Sequence, residues 1–277
     1  MTQSDQADQV DPGLAVERSG CVLTLTLNRP SRLNALSPAL VRALRRQLTD
    51  LRDDAENRIV ILTGAGRGFC SGADLKEEGE GRRWPGPPRG HVQTGWSMQE
   101  AFADLPWLLR RIPQPVIAVV NGVAAGGGMS LACAADIRIA EPTASFIPSF
   151  VRIGVSGEMG CTYFLPRLIG WDRAAELLYT GRQVTAEQAR DLGLVTHLVG
   201  PGEGLAKAHE LAAEMAKLAP ATTRLTKSLL NLSMEGATLQ QQIELENRTQ
   251  IMLGETADYA EAIAAFAERR EARFADK

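Results

Sequence analysis

Twice in this chain a short apolar run breaks off into glycine. Arg58-Ile59-Val60-Ile61-Leu62 leads into Thr63-Gly64-Ala65-Gly66, and Val116 to Val120 leads through Asn121-Gly122 towards Gly126-Gly127-Gly128. Both runs are rich in β-branched residues and end at turn signals, which predicts strands covered on both faces. A helix is predicted before each. Ser37 offers an N-cap with Pro38 at the first helical position, and Leu40, Val41, Leu44, Leu48 and Leu51 recur at helical spacing to about Asp53. Ser97-Met98-Gln99-Glu100 has capping-box spacing and predicts a second helix to about Arg111, stopped by Pro113 and Pro115. Two helix–strand–glycine units in tandem imply parallel neighbours. Their glycine turns should lie side by side beyond the carboxyl ends of the strands, where such sheets take ligands.

Leu14 to Arg18 and Cys21 to Leu27 flank Ser19-Gly20 and predict an antiparallel hairpin ending at Asn28-Arg29-Pro30. Residues 79–95 are rich in Gly, Pro and Arg and predict a mobile surface loop. From Trp171 onward the pattern is largely helical. Thr185-Ala186-Glu187-Gln188 reads as a capping box, Leu194 to Val199 as a strand, and Thr256 as the cap of a final helix ending in the charged run Glu268 to Arg273. Residues 1–12 are polar and lack the basic start and apolar run of a secretory signal, so a disordered tail is expected there. Residues 13–200 then form the core, and 201–277 a helical region of the same domain. Val116 to Ala135 holds no charge, but Asn121, Ser130 and the glycines interrupt it, which favours soluble core over a membrane span.

A hydrophobic content of 44%, a charged content of 23% and a net charge of −3 leave no basic footprint for nucleic acid. Cys21, Cys70, Cys133 and Cys161 form no C-x-x-C pair, and His91, His197 and His209 show no ligand spacing, so neither a metal site nor a redox motif is expected. Gly64-x-Gly66-x-Gly68 fails the dinucleotide fingerprint, which needs glycine where Phe69 stands and a helix opening at once. No Gly-Lys-Ser/Thr follows a glycine run and no G-x-S-x-G elbow is present. The triple glycine, followed by helix-compatible residues, places unpaired N–H groups at a helix N-terminus, which receives negative charge. The same glycines would also serve plain close packing of helix on strand.

Asn121-Gly-Val-Ala-Ala-Gly-Gly-Gly together with Gly68-Phe-Cys-Ser-Gly-Ala-Asp-Leu-Lys resembles the crotonase family of enoyl-CoA hydratases and isomerases. The likeness takes in Leu27-Asn-Arg-Pro, Leu33-Asn-Ala-Leu, Pro115-Val-Ile-Ala-Val-Val-Asn-Gly, Ala135-Asp-Ile-Arg-Ile-Ala, Leu165-Pro-Arg, Thr180-Gly-Arg and Gly193-Leu-Val. It implies an α/β spiral of ββα units with a C-terminal helical trimerisation region. It also implies a cytoplasmic homotrimer or dimer of trimers that takes an acyl-CoA thioester, with no metal or cofactor, no nucleic acid and no membrane. By the same resemblance the N–H groups of Ala73 and Gly127 hold the thioester oxygen. Ser71, Ala73, Asp74, Leu75 and Lys76 would line the coenzyme A groove, and Arg32 and Leu33 would contact its nucleotide end. Such a pair of donors is an oxyanion hole, which meets charge that appears only as the enolate forms.

The family's hydratases carry glutamates where this chain has Ser130 and Phe150, so two-glutamate hydration is not expected. Phe150 is counted with the substrate-binding set. Glu158, in Gly154-Val-Ser-Gly-Glu-Met-Gly, stands where dienoyl-CoA isomerases and related members of the family use an aspartate, and it is the candidate acid/base. Met159, Phe150 and Phe146 would supply apolar surroundings that raise its pKa. As a purely structural residue Glu158 would be a carboxylate favoured by a helix N-terminus. Asp74 and Asp136 read as caps or turn residues rather than catalysts. The expected function is double-bond isomerisation of an enoyl-CoA, with hydration as the alternative chemistry. A non-catalytic acyl-CoA binding or carrier protein is the rival from another class, and a ClpP-like peptidase lacks a placed Ser-His-Asp set.

Overall fold

The computed structural model describes residues 13–76 and 90–276. The predicted N-terminal tail and most of the predicted loop lie outside them. The hairpin forms as β1 (Leu14–Ser19) and β2 (Val22–Leu27), paired antiparallel. Helix α1 (Pro38–Asp50) begins where Ser37 Oγ accepts the Leu40 N–H at 3.2 Å, and it buries Leu40, Val41, Leu44 and Leu48. There follow β3 (Ile59–Gly64), β4 (Gly68–Cys70), α2 (His91–Arg111), β5 (Val116–Val120), β6 (Val123–Ala125), α3 (Gly127–Ala134), β7 (Ile137–Ala140) and β8 (Ser145–Ile147). The remainder is α4 (Cys161–Ile169), α5 (Trp171–Thr180), β9 (Val184–Thr185), α6 (Ala186–Asp191), β10 (His197–Leu198), α7 (Gly204–Ala216), α8 (Pro220–Met234), α9 (Leu239–Gly254) and α10 (Ala257–Glu268).

Two sheets carry the strands. The larger runs β1-β2-β3-β5-β7-β10 and the smaller β4-β6-β8-β9. β3 and β5 are parallel neighbours, and so are β4 and β6, so the two glycine turns come to lie side by side as their tandem order implies. Two local expectations change. Helix α2 starts at His91 with Gly90 as its N-cap, not at Ser97, because the prolines of the preceding stretch all lie upstream of Gly90, while Gly95 and Pro106 are carried inside the helix. Glu100, expected to cap, accepts the Trp96 indole N–H at 2.7 Å. The strand expected over Leu194 to Val199 shrinks to two residues, His197 and Leu198, since Leu194 and Val195 bond back to the Ala189 carbonyl at the end of α6.

Two buried side chains tie these elements together. Asn34, fully buried and left-handed at φ 56°, accepts the Arg29 N–H at 2.8 Å through Oδ1 and donates through Nδ2 to the carbonyls of Ala65 at 2.9 Å and Gly68 at 2.7 Å. It fixes the Asn28-Arg29-Pro30 bend to the β3–β4 turn. Lys227, on α8 and 5% exposed, donates to the carbonyls of Leu109 at 2.8 Å and Gln114 at 2.7 Å and pairs with Asp136 at 2.9 Å. Asp136 also pairs with Arg110 at 2.7 Å and accepts the Val116 N–H at 2.8 Å, so it acts as the cap anticipated from the sequence. Replacing Asn34 strands one buried N–H and two carbonyls, each worth about 1–3 kcal/mol when left unpaired. Asn34→Ala is therefore expected to lower the unfolding free energy by at least about 2 kcal/mol in urea titrations. A change within the roughly 0.5 kcal/mol typical of surface substitutions would contradict this role.

Candidate active site

The first turn continues β4. Leu36 N–H donates to the Gly72 carbonyl at 2.8 Å, and Asp74 N–H donates to the Leu36 carbonyl at 3.2 Å, which makes Leu36 and Ala73 an isolated parallel bridge. Peptide groups alternate along an extended chain, so the Ala73 N–H between them faces the other way, towards the side on which β4 pairs with β6. The second turn ends β6. Gly126 adopts φ 50° and ψ −124°, a conformation closed to residues with a β-carbon, and Gly127 opens α3, where its N–H has no intrahelical partner. Among the described residues neither the Ala73 nor the Gly127 N–H has a backbone acceptor.

Contact between the turns leaves no room for side chains. A β-carbon built on Gly72 would stand 2.9 Å from the Ala125 oxygen and 3.2 Å from the Gly127 nitrogen, and Gly72 is left-handed at φ 90°. One on Gly128 would lie 2.0 Å from the Cys70 oxygen. The glycines thus do both things considered for them: they let helix and strand meet at backbone distance, and they leave donors bare at the junction.

Glu158 reaches this junction. Its Oε1 lies 3.8 Å from the point where a β-carbon on Gly127 would stand, and the Met159 sulfur lies 2.7 Å from the same point. Met159 is 4% exposed, Phe150 3% and Phe146 0%, and of these the Met159 sulfur shares the Gly127 neighbourhood with the Glu158 carboxylate. Phe150 Cε1 sits 3.8 Å from the β-carbon position of Gly126. Burial pushes the Glu158 carboxyl above its ordinary value, with a hydrogen bond from the Gln99 side chain acting the other way. Gln99 was not singled out by the sequence, where it reads only as a residue of a capping box. No spacing rule relates it to Glu158; only the packing of α2 brings them together.

The other expected site residues fall into two groups. Ser71 N–H donates to the Leu33 carbonyl at 3.0 Å and Ser71 Oγ to the Arg32 carbonyl at 3.3 Å, so Arg32, Leu33 and Ser71 form one surface beside Ala73. Leu75 and Lys76 are exposed beyond it. Asp74 turns its carboxylate inward, 4% exposed, onto Arg29 at 2.8 Å, so its side chain braces the turn. A cleft of about 910 Å³ between α2, α4, α8 and α9 is lined by Trp107, Tyr163, Phe164 and Leu225. Ala103 and Pro106, which continue the α2 face that carries Gln99, line it as well. The buried thiols are core groups: burial pushes Cys70 up to about 12 and Cys133 to about 11.

Residues 17–277 match the family described as Enoyl-CoA hydratase/isomerase. The chain belongs to this crotonase family. Among crotonase relatives, a probable enoyl-CoA hydratase of Mycobacterium leprae is 39% identical over 256 residues, covering 90% of this chain and 85% of that protein. The 1,2-epoxyphenylacetyl-CoA isomerase of Escherichia coli K12 is 38% identical over 256 residues, covering 92% and 95%. A crystal structure of a probable enoyl-CoA hydratase/isomerase from Mycobacterium abscessus superposes with a TM-score of 0.89 at 34% identity, over 96% of this chain and 99% of that one. The α/β crotonase fold expected from the glycine motifs is therefore the fold of this chain.

Two predictions follow from the geometry. Gly72→Ala forces a left-handed β-carbon against the Ala125 oxygen, and the left-handed conformation alone costs about 1–2 kcal/mol. The variant should lose at least that much stability in denaturant titrations; wild-type stability would mean that the turns are not in contact. The second concerns Glu158. Its folded pKa is raised above the unfolded value, so the native state holds the proton to higher pH, and stability falls as pH rises through that window. Glu158→Gln should then be more stable than wild type at about pH 8, with the gap closing as pH falls towards about 4. A pH-independent gap would remove the raised pKa.

Proposed function

We propose that the protein is a crotonase-type enzyme that moves a proton between carbons of an enoyl-CoA, with the Ala73 and Gly127 N–H groups holding the enolate oxygen and Glu158 carrying the proton. The observation that supports this most directly is the carboxylate oxygen 3.8 Å from the β-carbon position of Gly127, beside the unpaired helix N–H. In a 3-enoyl thioester the C2–H bond breaks and its proton passes to the Glu158 carboxylate. The electron pair spreads over C2 to C4 and onto the thioester oxygen, where the two N–H groups receive the charge. Return of the proton at C4 forms the new C–H bond, leaves a 2-enoyl thioester and restores Glu158. No atom or electron is left over, so the step balances without a cofactor or metal.

Burial makes Glu158 a better base than an exposed glutamate, because a raised pKa brings it closer to working pH. In this reading the Arg32, Leu33 and Ser71 surface, with the backbone of Asp74 and exposed Leu75 and Lys76, takes the coenzyme A portion. The acyl portion runs past Phe150 and Gln99 towards the cleft at Trp107 and Phe164. The name of the Escherichia coli relative, 1,2-epoxyphenylacetyl-CoA isomerase, supports an isomerisation on a CoA thioester; the names of the hydratase relatives keep hydration as the second reading. Leu239, Ile251 and Phe266 on the last two helices are 76%, 70% and 86% exposed, which suits covering by further copies in a trimer or dimer of trimers.

The test is a panel of 3-enoyl-, dienoyl- and crotonyl-CoA with wild type and Glu158→Gln, together with exchange of the thioester α-proton in D₂O followed by NMR. Isomerisation and exchange are expected in wild type and should fall by about 10²–10⁴-fold in Glu158→Gln. Equal rates in both would sink the assignment of Glu158. Conversion of crotonyl-CoA to a hydroxyacyl-CoA alone would establish hydration, and thermal stabilisation by CoA thioesters without turnover would establish a carrier.

A further inference from the structure

Ser130 lies on α3 three residues beyond Gly127 and is fully buried. A serine inside a helix ordinarily returns its hydroxyl hydrogen to the carbonyl one turn back. Here that carbonyl, Gly126, already accepts the Ser130 N–H at 3.1 Å, and the hydroxyl lies 3.4 Å from it. Its closer acceptor is the Glu158 carbonyl at 3.0 Å, across 28 residues of sequence.

The Glu158 carbonyl opens an unusual turn. Met159 follows at φ 52° and Gly160 at φ 75°, both left-handed, and a non-glycine residue adopts that conformation only at a cost in strain. Cys161 N–H donates to the same carbonyl at 3.0 Å. That bond closes the turn on itself and sets its shape. The Ser130 bond is different in kind, because it runs from α3 to the turn and sets its place.

We propose that Ser130 is a positioning residue for Glu158: its hydroxyl anchors the left-handed turn to α3, so that the carboxylate stays above the Gly127 end of the same helix. The inference rests on the reading of Glu158 given above. Its consequence is that the enolate-holding N–H and the proton carrier are both referenced to one short helix. The gap between them is then set by the rise of that helix and not by two independently moving loops.

The test compares full-length wild type, Ser130→Ala, Ser130→Cys and Glu158→Gln for kcat and KM on 3-enoyl-CoA and for α-proton exchange in D₂O. Ser130→Ala should bind substrate with KM within about twofold of wild type, while kcat and exchange fall together by up to about 10²-fold, the scale of a misplacement near 1 Å. Ser130→Cys fills the space with a poor donor and should fall as well; it decides by the same split if Ser130→Ala does not fold. Wild-type kcat in Ser130→Ala or Ser130→Cys, with Glu158→Gln inactive, would overturn the positioning role and leave the function standing. A rise in KM matching the fall in kcat would also overturn it, because the loss would then lie in binding. An active Glu158→Gln would remove both the reading of Glu158 and the role of Ser130.

Discussion

Where Gly72 meets Ala125 and Gly127, two stretches of backbone from different units approach closer than a side chain between them would permit, 2.9 Å from a would-be β-carbon to the Ala125 oxygen and 3.2 Å to the Gly127 nitrogen. Gly128 repeats the contact against Cys70 one residue on, at 2.0 Å. The rest of the molecule is arranged so that this approach can occur. The larger sheet puts β3 beside β5, the smaller puts β4 beside β6, and the Leu36 bridge fixes the outer edge of the first turn so that its free N–H faces inward. Backbone donors placed in this way need no reorganisation when charge arrives, which is the property that makes them useful in catalysis.

Glu158 shows the opposite economy. A carboxyl pushed above its ordinary pKa is poorly solvated in the folded chain, and its ionised form weakens the native state. The fold tolerates it on a strained turn. Buried Met159 fixes one side of that turn, and on the other Ser130 and Cys161 both donate to a single carbonyl. Strain at Met159 and poor solvation at its neighbour Glu158, beside the glycine junction, is the distribution expected of a functional segment rather than of one that adds stability.

Much of this was legible in the sequence because it is written in residues with few physical alternatives. Ser37-Pro38 can start a helix but hardly sit inside one, and Leu40 to Leu48 lie on one buried face as their spacing requires. The triple glycine announced a backbone contact. What could not be read were relations between distant residues: that Gln99 would meet Glu158, that Asp74 would turn inward to Arg29, or that Ser130 would leave its own helix for another segment. Where the local reading failed, it failed on competition. Ser97 had good capping chemistry, but Gly90 allowed the helix to begin earlier, and the run after Leu194 had strand-forming residues whose first two N–H groups were already taken by Ala189.

The Lys227 contact bears on how the molecule comes apart. An ammonium held by two carbonyls and a carboxylate, from α2, the start of β5 and the start of β7, cannot loosen one bond at a time, since each partner released inside the protein is left without water. Helix α8 therefore does not fray from the sheet by degrees. Opening α8 means opening the end of the sheet where β5 and β7 begin, which joins that helix to the sheet as one cooperative unit.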